Sequence, residues 1–126
     1  MSSHLPTPKT VVAKVREAIK ALDNGKYAAI AEKHVSADLD ELGFTSVGDY
    51  WDAIFGFLHE IQAAGPASCY AGGRPPQRSY ERGFQGLELF AYAWDSPSAQ
   101  RRMYLKFGIR NETYYHLDCH EDRPKR

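Results

Sequence analysis

Five residues able to move protons or hold an anion fall into alternation near the end of the chain. In RRMYLKFGIR, residues 101–110, Tyr104 and Lys106 interleave with Met103, Leu105, Phe107 and Ile109. In the run that follows, His116, Asp118 and His120 interleave with Tyr115, Leu117 and Cys119. Alternation with a period of two marks a half-buried strand. Keeping both apolar sets on one face of an antiparallel pair fixes the parity of the register, because a slip of one residue turns a strand over. A three-residue loop at Asn111, Glu112 and Thr113 meets that condition, pairing Arg110 with Tyr114, Lys106 with Asp118 and Tyr104 with His120. Tyrosine, lysine, aspartate and histidine are then expected on one open face.

The types suit one reaction in particular. Cleavage of RNA without a metal needs a group to take the 2′-hydroxyl proton, a cation on the phosphate and an acid for the leaving 5′-oxygen. Histidine is matched to proton transfer near neutral pH, lysine and arginine to charge developing at phosphorus, and tyrosine or glutamine to orientation. His120, Lys106, Arg78 or Arg74, Tyr104 and Gln85 supply one of each. A metal site is the competing possibility, since His116, Asp118 and His120 would lie on one strand face. The sequence contains neither a glycine-rich nucleotide loop with lysine and Ser/Thr nor a nucleophile elbow.

The elements that must position these residues divide the chain in two. Thr7-Pro8 reads as a helix start, with Val11, Val12, Val15, Ala18, Ile19 and Leu22 at helical spacing and Asn24-Gly25 as the stop. Residues 26–35 suggest a second short helix, and residues 36–43 are too polar to assign. Ser46 opens a third helix to about Ala64, striped by Tyr50, Trp51, Ile54, Phe55, Leu58 and Ile61, which should cover the sheet. His59 on that helix reads as structural or solvated. After Gly65-Pro66 comes a loop rich in glycine and proline. There Arg74, Arg78 and Arg82 interleave with Tyr70, Tyr80 and Phe84, a pattern suited either to phosphates and stacked bases or to an ordinary surface loop. Residues 86–95 form a strand whose Phe90, Tyr92 and Trp94 either extend a stacking platform or pack across strands. The expectation is an α+β single domain over residues 1–126, N-terminal helices packed on a C-terminal antiparallel sheet of a three-strand meander or larger, with residues 1–6 and 122–126 frayed.

Composition agrees with a globular domain: 126 residues, 43% hydrophobic and 25% charged. The net charge of zero disfavours a histone-like scaffold but hides a gradient. Residues 1–65 carry six Lys/Arg against nine Asp/Glu, and residues 66–126 carry ten against seven, eight of the ten being arginine. Cys69 and Cys119 are too few for a disulfide framework and read as reduced. With no apolar run near the roughly 18 residues of a bilayer span and no signal-peptide core, a cytoplasmic location and no membrane partner are expected.

The order of helical half, basic loop and strand meander, with Tyr104-Leu105-Lys106-Phe107 and Asp118-Cys119-His120-Glu121, resembles the MqsR family of toxin mRNA interferases, which belongs to the wider RelE- and barnase-like RNase fold. The resemblance covers about residues 39–121. It implies that Phe84-Gln85 stands for a Trp-Gln pair, making Gln85 a site residue, and that His120 stands where the family has a lysine. The family's lysine after the long helix has no counterpart in Ser68-Cys69-Tyr70-Ala71. The implied activity is a cofactor-free endoribonuclease toxin of a type II toxin–antitoxin system acting on mRNA. His120, Lys106, Tyr104, Gln85 and Arg78 would be catalytic, and Arg74, Arg82, Tyr80 and Tyr70 would bind substrate. A neighbouring antitoxin with zinc-binding and DNA-binding domains is implied as partner. The alternative is a non-catalytic RNA- or protein-binding module on the same scaffold.

Overall fold

A computed structural model describes residues 7–30, 32–73 and 76–122. Of the fraying expected at residues 1–6 and 122–126, all but Asp122 lies outside the described residues, and Asp122 is held, its N–H donating to the Arg102 carbonyl at 2.9 Å and its carboxylate accepting from Arg102 Nε at 3.2 Å. The elements in chain order are α1 (Pro8–Asp23), β1 (Tyr27–Ala29), α2 (Glu32–Leu42), α3 (Val47–Ala64), α4 (Pro66–Cys69), β2 (Gln77–Arg78), β3 (Glu88–Ser96), β4 (Arg101–Arg110) and β5 (Thr113–Glu121). The strands form one five-stranded sheet in the order β1-β5-β4-β3-β2, antiparallel except where β1 runs parallel to β5. The fold is therefore α+β, with the expected meander at its centre and two short strands added at its edges.

Both long helices start where local chemistry places them. The Thr7 hydroxyl accepts the Thr10 N–H at 3.1 Å ahead of Pro8, and the Ser46 hydroxyl accepts the Asp49 N–H at 3.1 Å, each satisfying a first-turn donor. Val11, Val15, Tyr50, Ile54, Leu58 and Ile61 bury the helix stripes against Phe90, Tyr92, Trp94, Met103, Leu105 and Phe107 of the sheet. The Tyr92 hydroxyl donates to the Val11 carbonyl at 2.7 Å, and Glu60 of α3 accepts from Trp94, Ser96 and Ser98, clamping the β3–β4 turn. Phe90, Tyr92 and Trp94 are consequently core packing and form no exposed platform. Among the described residues no helix is long and apolar enough to cross a membrane.

The segment predicted as a second helix, residues 26–35, is divided between β1 and α2. Lys26 and Ile30 bracket β1 with backbone bonds to β5: the Tyr114 N–H donates to Lys26 at 2.9 Å, and the Ile30 N–H to His116 at 2.8 Å. Tertiary pairing overrides the local preference there. The polar stretch that resisted assignment is helical and has a task. Asp38 and Glu41, one turn apart on α2, accept the Cys119 N–H at 2.8 Å and the Glu121 N–H at 3.4 Å, covering the edge of β5 beyond the end of β1.

The β4–β5 hairpin corrects the expected loop. Its turn has two residues, Asn111 and Glu112, at φ 52° and 60°, and Arg110 pairs with Thr113. Both positive angles define the tight turn that matches strand twist. From that turn the register alone would set His120 on the covered face. A bulge reverses it: Phe107 pairs with His116, Lys106 with Asp118, and Leu117 is left over between them. Beyond the bulge the pairings are Lys106 with Asp118 and Tyr104 with His120, as expected from the alternation. The expected face exists through two departures that cancel.

Candidate active site on the open sheet face

Tyr104 and Lys106 project from the central strand β4 between Ala93 and Ala91 of β3 on one side and His120 and Asp118 of β5 on the other. The alanines leave the polar side chains room on their flank. His120 stacks on Tyr104, ring centroids 5.2 Å apart and planes 18° from parallel, and the Lys106 ammonium lies 5.9 Å from the Tyr104 ring centroid. Lys106 Nζ also donates to Gln77 Oε1 at 2.7 Å. His120 Nδ1 is 2.8 Å from the Glu121 carbonyl, which can only accept, so Nδ1 carries the hydrogen. In the neutral ring Nε2 then keeps its lone pair, the atom a general base uses.

The site's electrostatics separate the roles. Burial, reinforced by Asp118, Asp122 and Tyr70, pushes Tyr104 up to about 12, so it stays a hydroxyl donor at neutral pH. Burial lowers Lys106 below its ordinary value, while Asp118 across the strand opposes the shift by favouring the ammonium form. Asp118 thus tunes Lys106 as well as balancing its charge.

His116 does not join this group. It is fully buried on the helix side, with Nε2 2.6 Å from the Tyr50 hydroxyl and Nδ1 2.7 Å from the Tyr114 hydroxyl, and Tyr50 donates onward to Asp38 at 3.3 Å. Leu117, expected in the core with Cys119, instead packs with Leu87, Leu89 and Ile30 on the other side of the sheet. The bulge therefore splits His116 from Asp118 and His120 and removes the proposed three-ligand strand. Among the described residues no group of three or more His, Cys, Asp or Glu is arranged for a metal.

The remaining expected residues spread out. Arg78 sits in β2 next to Gln77, but strand alternation turns it away from Lys106; its Nη1 donates to the Gly86 carbonyl at 3.2 Å. Gln85 is exposed and accepts the Gly83 N–H at 3.2 Å within its own turn, so the amide that meets Lys106 is Gln77. Tyr70 packs on Phe90 and Tyr92 and donates to the Gly73 carbonyl at 2.6 Å, anchoring the loop. Arg82 is exposed, and Tyr80 is 89% exposed. Arg74 lies outside the described residues. Gln77 escapes a reading of the sequence because a two-residue edge strand carries no periodic signal, although its place beside Arg78 in the basic stretch is a pointer.

Compared with known proteins, the chain matches no family model, no curated protein and no solved structure.

Proposed function

We propose that the protein is a metal-independent endoribonuclease acting on single-stranded RNA, with His120, Lys106 and Tyr104 as its catalytic residues. The observation that carries this is their convergence on one open face, with His120 hydrogen-bonded through Nδ1 so that Nε2 is left for the substrate. His120 Nε2 takes the 2′-hydroxyl proton as O2′ bonds to phosphorus. The P–O5′ bond breaks, and the Lys106 ammonium, made more acidic by burial, gives O5′ its proton. Tyr104 keeps its own proton and donates a hydrogen bond to the phosphoryl group, while Gln77 holds Lys106 in place. The products carry a 2′,3′-cyclic phosphate and a 5′-hydroxyl.

The biological setting we propose, a toxin acting on mRNA and neutralised by an antitoxin encoded beside it, rests on the MqsR-like motifs. The non-catalytic binding module gains some support from the dispersal of Arg78, Arg82 and Tyr80 away from the face. Induced growth and RNA affinity separate the two. Wild type should arrest growth, and His120→Ala should relieve the arrest by losing on the order of 10²–10⁴ in cleavage rate while binding RNA equally well. Equal toxicity of the two would remove catalysis by His120.

A further inference from the structure

Where β4 ends and β3 begins, a cleft of about 270 Å³ is lined by Lys14, Arg78, Arg110 and Glu88 together with Phe90 and Ile109. Three cations from α1, β2 and β4 thus face one carboxylate. Lys14 is 3.7 Å from Glu17 in a partly exposed pair and lies 5.5 Å from the Phe90 ring centroid. The two guanidinium groups meet only carbonyls, Arg78 that of Gly86 at 3.2 Å and Arg110 that of Gln85 at 3.5 Å. Among the described residues neither is ion-paired, although Glu88 is the cross-strand partner of Arg78. Three cations against Glu88 and the Glu17 beside Lys14 leave an excess of positive charge in the concavity, which an anion with several acceptor oxygens relieves.

Most of the cleft, with Lys14, Arg78, Glu88, Phe90 and Ile109, lies on the helix side at the end of the sheet, and Arg110 links it to the open face. Lys106, Gly108 and Arg110 alternate onto the same side of β4, which sets Arg110 about 13 Å beyond Lys106 at the usual rise of a strand. Gly108 lies between them and pairs with Tyr115, whose ring is 5.2 Å from that of Phe84. Leu87 presses onto this glycine so closely that a Cβ there would stand 2.7 Å from Leu87 Cγ. An apolar step carrying the two half-buried rings of Phe84 and Tyr115 therefore lies between Lys106 and Arg110.

We infer that the Lys14/Arg78/Arg110 cleft is a backbone-phosphate subsite for single-stranded RNA, which runs from the scissile phosphate at Lys106 across Phe84 and Tyr115, where bases stack. The subsite rests on the RNA-cleaving role proposed above and adds a direction and a length requirement to it. The test uses the full chain, an uncleavable 2′-O-methyl decanucleotide for binding, and cleavable decanucleotide and dinucleotide RNA for rates. For wild type, kcat/KM should rise from dinucleotide to decanucleotide. In the doubly substituted Arg78→Gln/Arg110→Gln protein that gain should shrink roughly tenfold or more at low salt. The slope of log affinity against log salt should become shallower by about 1.4, since each phosphate left without its arginine removes about 0.7. Arg16→Gln, an exposed change of charge on α1 outside the cleft, should leave gain and slope unchanged.

If wild type cleaves and the double variant keeps both its length-dependent gain and its salt slope, the subsite is refuted and the nuclease stands. A mononucleotide that competes as well as the decanucleotide at equal phosphate would make this a free-phosphate site and overturn the strand path. A wild type that neither binds nor cleaves any of these RNAs refutes the nuclease, and the subsite with it.

Discussion

Lys106 is subject to two opposed influences, burial that lowers its pKa and Asp118 that raises it. In its proposed role as proton donor, it would set the alkaline limb of the rate profile. Activity should therefore fall on the alkaline side before the ordinary lysine value of 10.5 is reached. In Asp118→Asn the opposing influence is gone, and that limb should move to still lower pH; an unmoved or raised limb contradicts the assignment. Glu60 allows a separate check on stability. Its partial burial pushes the carboxyl up, but bonds from Ser98, Trp94 and Ser96 outweigh this and hold it below the ordinary 4.5. Its contribution is thus complete above that value and disappears as pH falls through the lower, folded one. Glu60→Ala should cost about 2 kcal/mol at neutral pH, with the gap in denaturant midpoint closing in acid. A gap independent of pH would mean that the carboxylate charge has no part in clamping the β3–β4 turn.

Among the elements, β5 decides whether the site exists. Its first half is paired by β1 with Tyr114 and His116 facing the helices, and its second half is capped by Asp38 and Glu41 with His120 facing out. Leu117 is the residue that separates the two settings. Deleting it alone should turn Asp118 and His120 toward the core, or else Tyr114 and His116 away from it. Either result should abolish the proposed cleavage and cost several kcal/mol through exposed aromatics or buried charge. A deletion variant with wild-type stability and activity would show that the register is not set there. The alternation around Tyr104 and Lys106 was legible because one strand face is polar. The bulge was not, since an extra residue leaves no mark in composition, and the Asn-Glu turn lacks the glycine that usually announces a two-residue hairpin loop. His116 read as a surface ligand because the hydroxyls that satisfy it, those of Tyr50 and Tyr114, come from a distant helix and from its own strand two residues back. The amide role fell on Gln85 by motif, whereas chain geometry supplies Gln77.

On the scale of the molecule, the long helices that cover one face of the sheet come from a half that is acidic in sum, and a more basic half carries the three long strands. The helix-covered side contributes order: Glu60 holds one turn, Asp38 and Glu41 hold the edge of β5, and Tyr92 ties β3 to α1. What they hold is the face that carries Tyr104, Lys106, Asp118 and His120, each of them half-buried. The α+β layering was legible from helix caps and strand periodicity. The edge strands β1 and β2, three and two residues long, were too short to show a pattern. Chemistry on that open face would leave its mark in the ends of the RNA products. Purified wild type and His120→Ala, each shown to be folded by circular dichroism, are incubated with single-stranded RNA in EDTA, and the new termini are identified by mass spectrometry. The expected result is 2′,3′-cyclic phosphate and 5′-hydroxyl ends from wild type and almost none from His120→Ala. RNA left intact by wild type, or equal cleavage by the variant, would contradict it.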